Sequence, residues 1–268
     1  MAVKLAILGV TGRMGHCLVR AIRGSPDHSL VGALASPTSS WLGHDAGDVA
    51  GAGPLGVTVT ADLEEVLSDA EVAIDFTLPS AFASNLEVLG KVRLPWVVGV
   101  TGLSDSQQLS LREAARHQAV LASPNMSVGM NLLFTLVAQA SAALSEDYDI
   151  EISEAHHRNK RDAPSGTALR LGEVAAGARG RLLADVALGP GRGEAERLRG
   201  GIGFAVQRGG DVVGEHIVRL IGEGESVELA HRATDRMAFA RGALLAAGWL
   251  RGRPAGFYGM PDVLGLTG

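Results

Sequence analysis

Between residues 4 and 122, short apolar runs alternate with stretches of helical period, and this alternation narrows the possible folds more than any other feature of the chain. Strands are expected at residues 4–8, 30–34, 72–76, 96–100 and 119–122. The helical stretches between them have marked starts: Asp62 with Glu65, and Ser104 with Gln107, each fit the capping-box spacing. Strand and helix in regular succession give a parallel sheet with crossover helices, so the first half reads as a doubly wound α/β nucleotide-binding domain.

Gly9, Gly12 and Gly15 form GxxGxxG between the first strand and a helix expected to begin near Arg13. In that position glycines let backbone approach a pyrophosphate seated on a helix N-terminus. Close packing alone is the other reading, and in a chain with 36 glycines the pattern does not decide between them. Two further loops, Gly99-Val100-Thr101 and Ser123-Pro124-Asn125-Met126, follow strands on the carboxyl edge of the sheet, where open α/β folds bind ligands.

The second half changes character. Residues 148–153 (YDIEIS) alternate as a strand does and lead into EISEAHHRNKRDAPSGTA, residues 151–168, which crowds proton-transfer groups beside a Pro-Ser-Gly-Thr turn. His156 and His157 fall at or just past the end of the strand, with Lys160 a few residues on. Ser165 is placed to cap a helix whose buried face is Leu169, Leu171 and Val174. The first-turn N–H groups at Gly166 and Thr167, with Lys160 beside them, would attract carboxylate or phosphate, which implies an acidic small molecule. A Gly-rich loop at 189–203 and strands at 204–207, 216–221 and 226–230, joined by Gly-containing turns, complete an α+β domain.

With 268 residues, 46% of them hydrophobic, the chain can bury one large core or two modest ones. A net charge of -5 without a Lys/Arg cluster argues against nucleic acid. The lone Cys17 excludes an internal disulfide, and a strand pattern begins by Val3 without a leader-like segment, so a reduced cytoplasm is expected. The longest apolar run, residues 130–144, is shorter than the ~20 residues a spanning helix needs. Asn131, Thr135 and Gln139 cross it as a polar stripe at helical spacing, so no membrane is expected.

The run EAHHRNKRDAPSGTA closely resembles the signature of the 4-hydroxy-tetrahydrodipicolinate reductase (dihydrodipicolinate reductase) family, NAD(P)H enzymes of the diaminopimelate route to lysine. GVTGRMG at 9–15, DFT at 75–77, GVTG at 99–102, SPNMSVG at 123–129, GDVVGEH at 210–216 and HRATDRMAFARGAL at 231–244 extend the resemblance over essentially the whole chain. It implies a Rossmann-type dinucleotide domain from residues 1–127 and 238–268, with the last helix returning to it. Residues 128–237 then form the substrate-binding domain, whose sheet assembles a homotetramer. By the same resemblance His156 donates or accepts a proton, Lys160 donates one, His157 touches substrate, and Gly166 and Thr167 hold a substrate carboxylate. The dinucleotide, NADPH or NADH, falls to Gly9, Val10, Thr11, Gly12, Arg13 and Met14, with the loops of Gly99, Val100 and Thr101 and of Ser123, Pro124, Asn125 and Met126 on the nicotinamide side.

The chain departs from the family at three places. Val100 replaces a common Thr, and Met126 stands where an aromatic residue is frequent. At the end of the second strand the chain reads Leu34, Ala35, Ser36, Pro37, without the carboxylate that anchors the adenosine ribose hydroxyls. That tilts the expectation towards NADPH, with Ser36 and Arg13 as its contacts.

Other residues have plainer readings. His28, His44, His117, His216 and His231 are taken as structural or solvated. A metal is not expected, because adjacent histidines on extended chain face opposite ways and no carboxylate or cysteine stands at a familiar ligand spacing. Arg158 and Arg161 are surface or carboxylate-pairing residues, since guanidinium does not titrate in this range; Arg236 is a lesser substrate candidate. Glu151 and Glu154 either orient the histidines or sit on a solvated strand face, and the solvated face is the reading adopted. Two competing functions remain at this stage: another dehydrogenase of an acidic small molecule, such as an aspartate dehydrogenase, and a redox sensor that holds NADP without turnover.

Overall fold

A computed structural model describes residues 1–189 and 197–266, in two compact units. The first comprises Met1–Val128 with Arg236–Gly268, and the second Gly129–Asp235.

In the first unit strand and helix alternate as β1 (Val3–Leu8), α1 (Arg13–Arg23), β2 (His28–Leu34), α2 (Ala46–Val49), β3 (Val59–Thr60), α3 (Leu63–Leu67), β4 (Val72–Asp75), α4 (Phe82–Val92), β5 (Trp96–Val98), α5 (Asp105–Ala114) and β6 (Ala119–Ala122). The strands form one sheet in the order β3-β2-β1-β4-β5-β6, every pairing parallel, so the direction of winding reverses between β1 and β4. Both faces are covered: Leu5 and Ile7 of β1 join one core cluster, Ala6 and Leu8 the other. That double burial is why these strands read as continuous apolar runs.

The second unit follows as α6 (Val128–Ala143), β7 (Asp149–His156), α7 (Gly166–Ala178), α8 (Leu183–Val186), β8 (Ile202–Arg208), β9 (Gly214–Ile221) and β10 (Ser226–Ala233). Its sheet runs β10-β9-β7-β8, with β7 antiparallel to β9 and parallel to β8. Alternation along β7 is strict: Ile150, Ile152, Glu154 and His156 are buried, while the residues between them are half-buried. The chain then returns to the first unit as α9 (Met237–Leu250), β11 (Gly256–Tyr258) and α10 (Met260–Val263). β11 adds to the sheet beside β6, and α9 packs on α1 and on the sheet; its buried residues are mostly small, Ala240, Gly242, Ala243, Ala246 and Ala247 among them, with Gly242 against the Met126 carbonyl.

Several expectations need correction. β4 stops at Asp75 and β5 at Val98, one and two residues short of the expected ends; the Gly99 N–H, donating to the Asp75 carbonyl at 2.8 Å, completes the last rung between them. Asp62 caps α3, but Glu65 does not complete the box: the Asp62 N–H goes to the Thr60 hydroxyl at 3.2 Å. Ser104 and Gln107 do form a full capping box. Along α7 the buried face is Ala168, Leu171, Gly172, Ala175 and Ala176, while Leu169 is exposed. Small residues face the sheet there because Phe204 and Leu183 approach so closely that a Cβ on Gly172 would lie 2.7 Å from the Phe204 ring. The Gly-rich loop ends before 203, since Ile202 and Gly203 belong to β8; residues 190–196 of it lie outside the described residues. The polar stripe of α6 runs from buried Asn131 through half-buried Thr135 to exposed Gln139, and Leu132 and Leu136 are exposed as well. Among the described residues, no helix is long and apolar enough to cross a membrane.

Candidate active site

Two regions carry the candidate residues, one in each unit. In the first, β1 ends in a tight turn: Gly9, at φ +85, and Val10 both donate to the Leu34 carbonyl, at 3.0 and 2.9 Å. Gly12 then opens α1 as an extended N-cap with no side-chain hydrogen bond. A helix start without a side-chain cap leaves its first-turn N–H groups to whatever anion arrives. Gly15 shows why the turn needs glycine: a Cβ there would lie 2.3 Å from the Val10 oxygen and 2.4 Å from that of Gly9. This cradle fits a dinucleotide pyrophosphate. Thr11 to Met14 lie in it, with Arg13 exposed.

Neighbouring strand ends close around the same edge of that sheet. A Cβ on Gly9 would sit 3.0 Å from the Phe76 carbonyl, and one on Gly99 only 2.3 Å from the Phe76 ring. Asp75, fully buried, accepts from the backbone and hydroxyl of Thr77 at 2.8 and 2.7 Å and from the Asn85 amide at 3.0 Å. Burial raises its proton affinity, and those hydrogen bonds work against the rise. After β6, Ser123 Oγ donates to the Asn125 carbonyl at 2.7 Å and Asn125 Oδ1 accepts from the Ser127 N–H at 2.9 Å, shaping the 123–126 loop. Val100 and Met126 are buried, and Thr101 and Pro124 exposed. Beyond β2, Ala35 is buried and Ser36 exposed, its hydroxyl 3.0 Å from that of Thr38. No carboxylate stands at Ala35 or Ser36 to receive ribose hydroxyls.

In the second unit β7, the loop after it, α7, β8 and β9 converge on one carboxylate. Glu154 is 2% exposed and faces inward beside Ile152 and His156. Its Oε1 accepts the Ser165 N–H at 2.9 Å and Arg208 Nη2 at 2.8 Å. Its Oε2 lies 3.2 Å from His156 Nδ1 and 3.7 Å from His216 Nε2. Burial would raise its proton affinity, but the contacts with His156, Ser165 and Arg208 prevail and hold it well below the usual carboxylate range. His216 stands opposite Glu154 in the β7–β9 ladder, its ring 5.1 Å from that of His156, and reaches Ser165 Oγ at 3.3 Å. Its pKa is pushed down to about 4, by burial first and then by the charge of His156, so it is neutral at ordinary pH.

Around this cluster sit the residues singled out from the sequence. His156 closes β7 and is buried; His157, the next residue, is half-buried. Lys160 pairs with Asp162 at 2.9 Å, and Gly166 and Thr167 form the first turn of α7, whose N-cap Ser165 accepts the Ala168 N–H at 3.2 Å. A Cβ on Gly166 would meet nothing within 4 Å, so the helix opens onto free space. Arg158 and Arg161 are exposed. Glu151 pairs with Arg197 on the other face of the sheet.

Three residues of the cluster escaped the sequence reading. Glu154 was assigned to a solvated face, although it keeps step with Ile150 and Ile152. Arg208 reaches it from β8, 54 residues away in the chain, with no local signal to mark it. His216 was read as structural, yet with Glu154 and His156 it brings three metal-ligand atoms within 4.8 Å of one another, from strands whose pairing no sequence spacing reveals. Oε1 of that carboxylate is already neutralised by Arg208, which a dication would have to sit beside.

Comparison with known proteins decides the family. Residues 3–126 match the model of the dihydrodipicolinate reductase N-terminus, and residues 129–264 that of its C-terminus. A 4-hydroxy-tetrahydrodipicolinate reductase of Anaeromyxobacter dehalogenans is 49% identical over 266 residues, 99% of this chain and 98% of that protein. One from Acinetobacter baumannii is 48% identical over 267 residues, 99% and 97% of the two chains. The chain belongs to the dihydrodipicolinate reductase family. Like the rest of the dihydrodipicolinate reductases it is an oxidoreductase that uses a nicotinamide cofactor. The fold agrees: a dipicolinate-bound dihydrodipicolinate reductase from Paenisporosarcina sp. TG-14 superposes with a TM-score of 0.78 at 24% identity, covering 98% of this chain and 99% of the other. An amine dehydrogenase from Mycobacterium smegmatis shares the fold more distantly, with a TM-score of 0.61 at 15% identity over 96% and 94% of the chains.

Proposed function

We propose that the chain reduces 4-hydroxy-tetrahydrodipicolinate to tetrahydrodipicolinate with NADPH, and with NADH less well, in lysine biosynthesis. The observation that carries this reading is full-length identity at 49% together with His156, Lys160 and the open start of α7 gathered at one end of the second sheet. The nicotinamide, when bound, supplies the hydride. The protein binds, orients and moves the proton.

The first turn of α7 at Gly166 and Thr167, with Lys160 and His157 near it, receives a carboxylate of the substrate. Dipicolinate, the ligand named for the Paenisporosarcina relative, is a flat ring with two such groups. Lys160 is the proton donor to the carbon beside the one reduced, since an ammonium is a natural acid towards a developing carbanion or enamine. It is paired with Asp162 in the resting chain, a contact it must loosen to reach substrate. His156 takes up or supplies the proton in turn, as an imidazole does near neutral pH.

On the cofactor side Gly9 to Met14 hold the pyrophosphate, and the loops of Gly99 to Thr101 and Ser123 to Met126 the nicotinamide side. Ser36 and Arg13 face the adenosine ribose. Neither repels a 2′-phosphate, and no carboxylate favours a free 2′-hydroxyl, which supports NADPH. The outward face of the second sheet, with Ile217, Ile221, Ala205 and Ala230, supports assembly into a homotetramer through that sheet. A cytoplasmic setting suits the single buried thiol, Cys17.

The test is a coupled assay in which a synthase makes the substrate from pyruvate and aspartate semialdehyde while NADPH and NADH absorbance is followed separately. Oxidation is expected, faster with NADPH, with kcat of Lys160→Ala lower by about 10²- to 10³-fold. No oxidation by the wild type would sink the reading.

A further inference from the structure

We propose that Glu154 is the positioning residue of this site: one carboxylate fixes His156 with its proton on Nδ1 and ties the start of α7 to the same strand. The proposal rests on the reductase reading only in taking His156 as a proton-handling group.

The geometry argues for it atom by atom. Oε1 of Glu154 is committed to donors from outside β7, the Ser165 N–H of the α7 N-cap and the Arg208 guanidinium of β8. Arg208 is fixed in turn by the carbonyls of Asp162 and Gln207, at 2.6 and 2.7 Å. Oε2 lies 3.2 Å from His156 Nδ1, and neither atom makes a hydrogen bond of good geometry to any group among the described residues, which leaves each to the other. An ionised carboxylate only accepts, so the pairing requires hydrogen on Nδ1. Nε2 is left for exchange, on the side where Gly214 leaves room: a Cβ on Gly214 would lie 3.1 Å from it.

Charge follows the same plan. Arg208 balances the carboxylate, so the buried cluster is neutral with His156 unprotonated, and Glu154 is near enough to stabilise the imidazolium when it forms. The charged and titratable groups around it are Arg208 from β8, His216 from β9, His231 from β10, and Lys160 with Asp162 from the loop after β7. Neutral His216, 3.7 Å from Oε2, does not compete for that charge.

Glu154→Gln tests the idea because the two donors on the Oε1 side leave the new amide one orientation. Its oxygen must stay with Ser165 and Arg208, which turns its NH₂ towards Nδ1 and forces the proton of His156 onto Nε2. Histidine-¹⁵N-labelled full-length protein, assigned with His156→Asn, is expected to show Nδ1–H in wild type and Nε2–H in Glu154→Gln. In the coupled assay kcat should fall about 100-fold with substrate KM within about threefold. The pH dependence of kcat should move to lower pH by about one unit, and Glu154→Asp should recover most of the loss. Nε2–H in the wild type, or an unchanged tautomer with kcat within threefold in Glu154→Gln, would overturn the proposal. If Glu154→Gln does not fold, the wild-type tautomer decides. Wild type without NAD(P)H oxidation but with the tautomer switch would instead remove the reductase reading and leave the positioning role standing.

Discussion

Two helix starts in this molecule carry the proposed anion sites, and they are made in opposite ways. α1 begins at Gly12 with no side-chain cap, shaped by Gly9 and Gly15, so its binding surface is backbone and its constraint is steric. α7 begins at a 2%-exposed serine whose N–H is anchored to a buried carboxylate, with an arginine and two histidines gathered on the same group. The first suits a pyrophosphate, and the one imidazole in its first turn, His16, has its pKa lowered by burial and by Arg20. The second gathers the side chains proposed to gain and lose protons, and it inherits their sensitivity to pH.

Acid gives the sharpest way to separate the two. His216 has its pKa lowered in the fold from 6.5 to about 4, so between those values the unfolded chain binds the proton more readily than the native one. Stability should fall by up to about 3 kcal/mol as pH drops across that window and change no further through this group below it. Glu154, held well below the carboxylate range, adds a loss of the same sign beginning below the ordinary carboxylate pKa. Hydrogen exchange at pH 5 should therefore loosen residues 165–170 while residues 9–15 keep their protection, and His216→Asn should flatten the slope. Equal loosening at both starts would break the contrast.

Steric change should act the other way round. Gly15→Ala forces a Cβ against two carbonyl oxygens of the turn and is expected to cost about 2 kcal/mol, read by calorimetry as a roughly 30-fold loss of NADPH affinity. Gly166→Ala meets open space and should leave thermal stability unchanged or slightly improved. Ser165→Ala should fall between these two. Loss of its cap on the Ala168 N–H should cost about 1 kcal/mol, a fall in Tm of about 2–4 °C by scanning calorimetry.

The same contrast explains what could be read from the sequence. The α1 turn was legible because its cause is local: Gly9, Gly12 and Gly15 lie within seven residues, after a strand and before a helix. The strands of the first unit were legible because both faces are buried and apolar runs result. Ser165 as a cap and His156 at a strand end were likewise short-range statements. Arg208 and His216 were not legible, since they reach Glu154 only through the pairing of β7 with β8 and β9, which is set by packing. Glu154 is a different case. Its place two and four residues after Ile152 and Ile150 marks it as inward-facing, and the alternation outweighs the expectation that a glutamate seeks water. The buried face of α7 was misjudged because size, not hydrophobicity alone, decides which side of a helix can approach a sheet as closely as Phe204 and Leu183 demand.

The chain leaves the first unit after Val128 and comes back at Arg236, which has a bearing on how a ribosome would deliver it. All residues of the inserted unit are synthesised before α9 and β11 exist, so its sheet can assemble during translation while the face of the earlier sheet destined for α9 is still bare. Leu5, Ile7, Cys17 and Leu18, which share a core cluster with Ala243, Leu244 and Leu250, wait for the last stretch of the message to be read. The nascent chain thus finishes from the middle outward, and premature termination anywhere before α9 would strand the nucleotide-binding half with its apolar face in water, a ready target for chaperones.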